Sequence, residues 1–229
     1  MQKEFNEIET RHAKKMLESS FGKPIQNTTF TLTYKENHYL GDDRPSKNDK
    51  ATVKKVVEEA IPYIQGILND IGISYQSKMD VYTSDYGNNY QNGSIHIDLH
   101  AEGGIIGMPL TSNPFIGVIH EIVHQIVDEN DLLKNKLKQF TVDHTVGVEE
   151  WGQKWYLKLD IPMPSDYCTK IENKNDTYSE ELLTMFFTCL CSDTSIRYDM
   201  NDVIRTGTDF AQKYPDYFNG IMTILRSLR

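Results

Sequence analysis

The chain has 229 residues and a formal net charge of −9, and 38% of its residues are hydrophobic while 25% are charged. This length and composition predict a folded protein with its own core and exclude a disordered chain. The negative charge disfavours nucleic acid or an anionic membrane as the main partner, because both reward clusters of Lys and Arg that the sequence lacks.

The first half of the chain predicts strands and helices in alternation. A helical apolar period continues as far as Gly72, with a kink expected at Pro62, whereas stretches such as TTFTLTYKENHYL have the composition of strands. In chain order, the predicted elements are a helix over 4–21, a strand over 28–40, a helix over 53–71, and strands over 77–85 and 93–100.

The second half of the chain has the apolar spacing of helices almost throughout. The predicted helices cover residues 114–139, 148–159, 179–192, 199–213 and 215–228. This layout predicts an α+β fold, with a small mixed sheet first and a helical part after it. We expect a single domain over 1–229, divided into a sheet-containing subdomain (1–112) and a helical subdomain (113–229), with the 114–139 helix between them.

The central predicted helix carries the pattern His120-Glu121-Ile122-Val123-His124 within the apolar stretch NPFIGVIHEIVHQIVDEND. Residues four apart on a helix lie one above the other, so the two imidazoles point to one place at the spacing that Zn²⁺ needs. Glu121 lies beside His120, where it could take a proton from a water molecule at the metal without being a ligand. Two imidazoles without a role would be costly to bury on so apolar a helix, and this favours a metal site.

On this HExxH pattern the chain resembles the zincin metallopeptidases, which are built on such a helix. The resemblance implies a zincin-like fold in which the sheet presents an edge strand to the active-site cleft. GSIHIDLH (93–100) lies shortly before the helix and is the expected edge strand. An extended polypeptide would add to that strand through main-chain hydrogen bonds.

A catalytic zinc needs a third protein ligand, and two glutamate pairs later in the chain are candidates. TYSEELLTMFF resembles the glutamate helix of lethal-factor-like and Pro-Pro endopeptidase-like gluzincins, in which two bulky apolar residues, a small residue and an aromatic residue follow the ligand. Glu181 fits this pattern best, and Glu180 is one residue out of register. VEEWGQKWYLKLDIPMP resembles the ligand helix of ImmA-type peptidases and leaves Glu149 or Glu150 as the alternative.

The gluzincin resemblance also implies a tyrosine in the loop before the ligand helix, aimed at the developing oxyanion. Tyr167 and Tyr178 lie in that loop and are the candidates, while the family's usual spacing falls on Lys174. Asp128, one turn beyond His124, could fix the imidazole of that ligand or be a solvated charge at the helix end.

These residues together predict a zinc-dependent endopeptidase of the gluzincin type that acts on an extended polypeptide. His120, His124 and Glu181 would hold Zn²⁺, and Glu121 would deprotonate water and pass the proton to the leaving amine. The alternatives are an ImmA-like protease that cleaves a regulator, and a catalytically silent zincin-fold binding or structural protein.

The sequence also bears on the cellular compartment. Its three cysteines are too few and too sparse for a disulfide framework, which suits a reducing compartment. The N-terminus has no signal-peptide core, and no run of 18 apolar residues predicts a membrane span. We therefore expect a cytoplasmic protein, or one exported by a route that requires no signal peptide.

Overall fold

The computed structural model describes parts of both predicted halves of the chain. The described residues are 29–35, 47–73, 75–83, 89–97, 114–191, 196–197, 203–204 and 207–228. The helix predicted over 4–21 lies outside them. They hold six α-helices, a four-stranded sheet, a three-stranded sheet and a two-stranded hairpin, so the predicted α+β class is confirmed.

The first part of the chain builds the larger sheet around one long helix. Its elements are β1 (Thr29–Tyr34), α1 (Lys47–Ile71), β2 (Gln76–Thr83), β3 (Asn89–Gln91) and β4 (Ser94–Ile97). The strand order is β1-β2-β4-β3, with β2 parallel to β1 and β4, and β3 antiparallel to β4. Helix α1 supplies the long crossover that the parallel strands β1 and β2 require.

The edge of this sheet differs from the prediction. GSIHIDLH was expected to be the edge strand, and this is wrong, because β4 lies between β2 and β3. The end of the described sheet is β3, which pairs with β4 through a tight turn at Asn92 and Gly93. Both turn residues have positive φ angles, 49° and 77°, as the two-residue hairpin turns that favour Asn-Gly require. Asn-Gly was therefore the sequence signal for a strand in a stretch that otherwise predicts a loop.

The predicted central helix over 114–139 is two helices in the structure. These are α2 (Pro114–Asp128) and α3 (Asp131–His144). The chain breaks at Asn130, whose side chain accepts a hydrogen bond from the backbone N–H of Leu133 at 3.0 Å and so caps α3. Helix α2 is buried between the sheet and the later helices, because its own side chains are apolar on nearly every face.

The helix predicted over 148–159 is wrong, because this segment forms a β-hairpin. Strands β5 (Thr145–Trp151) and β6 (Lys154–Leu159) pair antiparallel, and β7 (Lys170–Ile171) adds to β6. Gly152, with a φ of 64°, turns the chain between the first two strands. Valine and aromatic residues along both strands gain more from cross-strand pairing than from a helix whose faces would be mixed.

The end of the chain is helical around a two-stranded hairpin. Its elements are α4 (Glu181–Cys191), β8 (Ile196–Arg197), β9 (Val203–Ile204), α5 (Gly207–Lys213) and α6 (Pro215–Arg226). The helices predicted over 179–192 and 215–228 are confirmed. The helix predicted over 199–213 is confirmed only from residue 207, since β9 occupies part of that range. None of the helices in the described ranges is long and apolar enough to span a membrane.

Aromatic side chains join these C-terminal helices to each other. The ring of Phe186 on α4 lies 5.6 Å from that of Phe210 on α5 and 5.5 Å from that of Phe218 on α6, between ring centroids. The hydroxyl of Tyr217 donates a hydrogen bond to the carbonyl of Leu182. These contacts fix α4 from the side opposite to α2, and α4 begins at Glu181.

We expect Phe186→Ala to lower the free energy of unfolding by about 3–5 kcal/mol, because it leaves a cavity in the core. Trp151→Ala is the control, since this side chain is 76% exposed, and its effect should stay within about 0.5 kcal/mol. Urea denaturation followed by circular dichroism measures both values. Equal stability of the two variants would show that the aromatic cluster does not support α4.

Candidate metal centre

Two imidazoles meet on α2, one helical turn apart. The ring centroids of His120 and His124 are 4.9 Å apart, with the ring planes at 77°. His120 is buried, and the side chain of His124 is 12% exposed. The apolar residues of α2 hold the helix in the core, so the two rings have little freedom to move away from each other.

Glu181 brings a carboxylate to both imidazoles. Its Oε2 atom lies 3.1 Å from Nε2 of His120 and 3.5 Å from Nε2 of His124. The candidate ligand atoms of the three residues all lie within 4.8 Å of one another. Ligand atoms at tetrahedral bond lengths of about 2.0–2.2 Å around a metal are about 3.4 Å apart. His120, His124 and Glu181 could therefore hold one metal ion without a large rearrangement.

Two threonines on α4 orient this cluster. The Nδ1 atom of His120 lies 3.1 Å from the hydroxyl oxygen of Thr188. That hydroxyl donates its proton to the carbonyl of Thr184 at 2.8 Å, so it can accept a hydrogen bond from Nδ1–H of His120 while Nε2 of the same ring faces Glu181. The Thr184 hydroxyl also lies 3.1 Å from Oε2 of Glu181. Thr188 was not predicted from the sequence, although it lies two turns after Glu181 on the same face of a helix.

Glu181 and His124 favour each other's charged form. Burial alone would raise the pKa of Glu181, but hydrogen bonds from His120 and His124 outweigh it and hold this pKa well below its usual value. Burial lowers the pKa of His124, while the hydrogen bond and charge of Glu181 raise it by more. Glu181 is therefore an ionised carboxylate between two imidazoles, which is the form that binds a cation.

Glu121 lies in the same buried region, next to His120 in the chain. Its side chain is largely shielded, with 5% of the residue exposed. Burial raises the pKa of Glu121, and the charges of His120, His124 and Glu181 also act on it, the two histidines lowering the pKa and the glutamate raising it. A carboxyl group with a raised pKa is a better proton acceptor than an exposed one.

The two candidate tyrosines have different surroundings. Tyr167 lies in a short 3-10 helix, Asp166–Thr169, and its pKa is raised by burial, by the charge of Glu181 and by a side-chain hydrogen bond to Glu181. The structure thus brings Tyr167 to the candidate metal centre. Tyr178 is also buried, and its hydroxyl has no hydrogen-bond partner among the described residues.

The alternative glutamates lie elsewhere. Glu180 is exposed, although it directly precedes Glu181. Glu149 and Glu150 are exposed on β5, where they pair opposite Tyr156 and Trp155. In the part of the chain that the structure describes, the group close enough to hold a metal consists of His120, His124 and Glu181.

The chain matches no protein-family model, no curated protein and no solved structure. The candidate metal centre is therefore supported by the geometry of its own side chains. Two imidazoles and one carboxylate suit several divalent transition metals.

We expect Glu181→Ala to weaken metal binding far more than Glu180→Ala. Loss of a partner outside the ligand set costs about 10–100-fold in metal affinity, so the loss of a charged ligand should exceed about 100-fold. Titration of Zn²⁺ against a competing chelator measures both affinities, and circular dichroism confirms matched folding. If Glu180→Ala were the variant that releases the metal, Glu181 would not be the ligand.

Proposed function

We propose that the protein is a zinc-dependent endopeptidase of the gluzincin type. The observation that carries the proposal is the position of Glu181 Oε2, at 3.1 Å and 3.5 Å from the two imidazoles of the HExxH pattern. Its ligand set of two histidines and one glutamate is one that catalytic zinc sites of peptidases use. The buried Glu121 beside the ligands supplies the proton acceptor that such a reaction needs.

A bound Zn²⁺ would polarise the carbonyl of the scissile peptide bond and lower the pKa of water at the site. The carboxylate of Glu121 takes a proton from the attacking water and then donates it to the nitrogen of the leaving amine. The raised pKa of Glu121 suits both steps, because the group must accept and release a proton within one turnover.

Tyr167 is the tyrosine that we assign to the oxyanion. Its hydroxyl keeps its proton, since burial and the charge of Glu181 both raise its pKa. A protonated phenol next to the ligands can donate a hydrogen bond to the negative oxygen that develops during attack. Tyr178 has no comparable contact with the ligand set, and we assign it a packing role.

The substrate that fits this site is a polypeptide in extended form. Strand β3 lies at the end of the described sheet and packs against α2, which carries the histidines. An extended peptide could pair with β3 and so pass over the ligands. The ImmA-like alternative has little support, because its third ligand would come from Glu149 or Glu150 on the exposed hairpin.

We expect Glu121→Gln to abolish peptide-bond cleavage while the protein keeps its metal and its fold. A general base contributes about 10²–10⁴-fold to the rate, and the amide of glutamine cannot accept the proton. Cleavage of a proteome-derived peptide library, read by mass spectrometry, gives the activity, and elemental analysis gives the metal content. If the protein were a catalytically silent binding protein, the wild type itself would cleave no peptide.

We expect Tyr167→Phe to lower kcat by about 10²-fold, because it removes one hydrogen-bond donor from the oxyanion. KM and metal content should change little. Tyr178→Phe is the matched control from the same loop and should leave kcat near the wild-type value. Equal activity of both variants would remove Tyr167 from the mechanism.

A further inference from the structure

Tyr90 on β3 covers the outer ligand of the metal centre. Its ring lies nearly parallel to the imidazole of His124, at an angle of 9° and a centroid distance of 6.3 Å. His120, deeper in the core, is instead oriented by the Thr188 hydroxyl. The two histidines are thus held by different parts of the fold, one by α4 and the other by the sheet.

Two hydrogen bonds hold Tyr90 in this place, and a further contact holds its partner Asp128. Its hydroxyl donates a hydrogen bond to Oδ2 of Asp128 at 2.9 Å and accepts one from the backbone N–H of Gly93 at 3.2 Å. The other carboxylate oxygen of Asp128 accepts a hydrogen bond from Nζ of Lys134 at 3.1 Å. Asp128 ends α2 and Lys134 lies in α3, so the phenol is tied to the helix that carries His124 and to the next one.

The contacts of Asp128 differ from both roles considered for it. It is neither a solitary solvated charge nor a direct partner of the imidazole, since its carboxylate binds Tyr90 and Lys134. Burial, followed by the hydrogen bond to Asp128, raises the pKa of Tyr90 to about 12. The phenol therefore stays protonated near neutral pH and donates to Asp128.

We propose that Tyr90 is a positioning residue that fixes the imidazole plane of His124 for metal binding, and that Asp128 acts on this ligand through Tyr90. The inference rests on the metal centre but not on peptidase activity. A ring that lies parallel to the imidazole at a centroid distance of 6.3 Å limits the space in which the imidazole can rotate about χ2, so that Nε2 stays directed at Glu181. Partners outside the ligand set act in this way at other metal sites.

The test compares Tyr90→Leu, Tyr90→Phe and Asp128→Ala with the wild-type protein, all loaded with Co²⁺. Visible absorption reports the ligand geometry, and chelator competition with Zn²⁺ reports the affinity. Tyr34→Leu is the control, because Tyr34 lies on β1 at the opposite end of the same sheet. Tyr90→Phe keeps the stacked ring, so it remains informative if Tyr90→Leu does not fold.

We expect Tyr90→Leu to weaken Zn²⁺ binding by about 10–100-fold and to alter the Co²⁺ spectrum. Tyr90→Phe should lose less, since it keeps the ring, and Tyr34→Leu should match the wild type. Tyr90→Phe and Asp128→Ala both break the hydrogen bond between Tyr90 and Asp128. The double variant should therefore bind Zn²⁺ no more weakly than whichever single variant has the lower affinity.

A wild-type affinity and spectrum in both Tyr90 variants would overturn the proposal, and so would additive losses in the double variant. A wild-type protein that binds no metal would overturn it together with the metal centre. A wild-type protein that binds metal but cleaves no peptide would overturn the peptidase and leave the role of Tyr90 standing.

Discussion

A carboxylate held between two imidazoles is the contact around which this molecule is organised. Burying an ionised group is costly unless partners compensate for the lost water, and Glu181 is compensated by His120 and His124 at 3.1 Å and 3.5 Å. That contact requires α2 and α4 to approach closely, which the small side chains of Thr184 and Thr188 allow. The sheet packs against α2 on one side, and the aromatic cluster around Phe186 packs against α4 on the other. This packing holds the two helices in contact.

The local part of the site could be predicted from the sequence, because helix geometry alone brings residues four apart to one face. The third candidate ligand, Glu181, could not be derived in this way. It lies far along the chain, and only the packing of α4 on α2 brings it to the histidines. A shift of one residue, from Glu181 to Glu180, turns the side chain by about 100° around the helix and into solvent. The apolar spacing of this segment limits the candidates for the third ligand, but it does not decide between Glu181 and Glu180.

Two of the errors in the predicted fold have the same physical origin. The hairpin of β5 and β6 was predicted as a helix, because its valines and aromatic residues have spacings that either structure tolerates, and pairing between strands decides such cases. Strand β3 was missed because three residues form a strand only when β4 pairs with them. Tyr90 was missed with it, since its contact with His124 joins two distant segments. Pairing between strands thus overrides the helical or loop preference of these two segments.

Metal binding at the candidate centre would be linked to folding. The folded chain holds the three candidate ligand atoms within 4.8 Å of one another, and an unfolded chain does not, so a cation would bind the folded state preferentially. At a free concentration 100 times the dissociation constant, such binding stabilises the fold by about 2.7 kcal/mol. The candidate ligands come from both α2 and α4, so a bound cation would stabilise the contact between these helices. His124 also lies parallel to the ring of Tyr90, which belongs to the sheet. Occupation of the candidate metal centre would therefore stabilise the packing of the sheet against the helical part as well as the helical part itself.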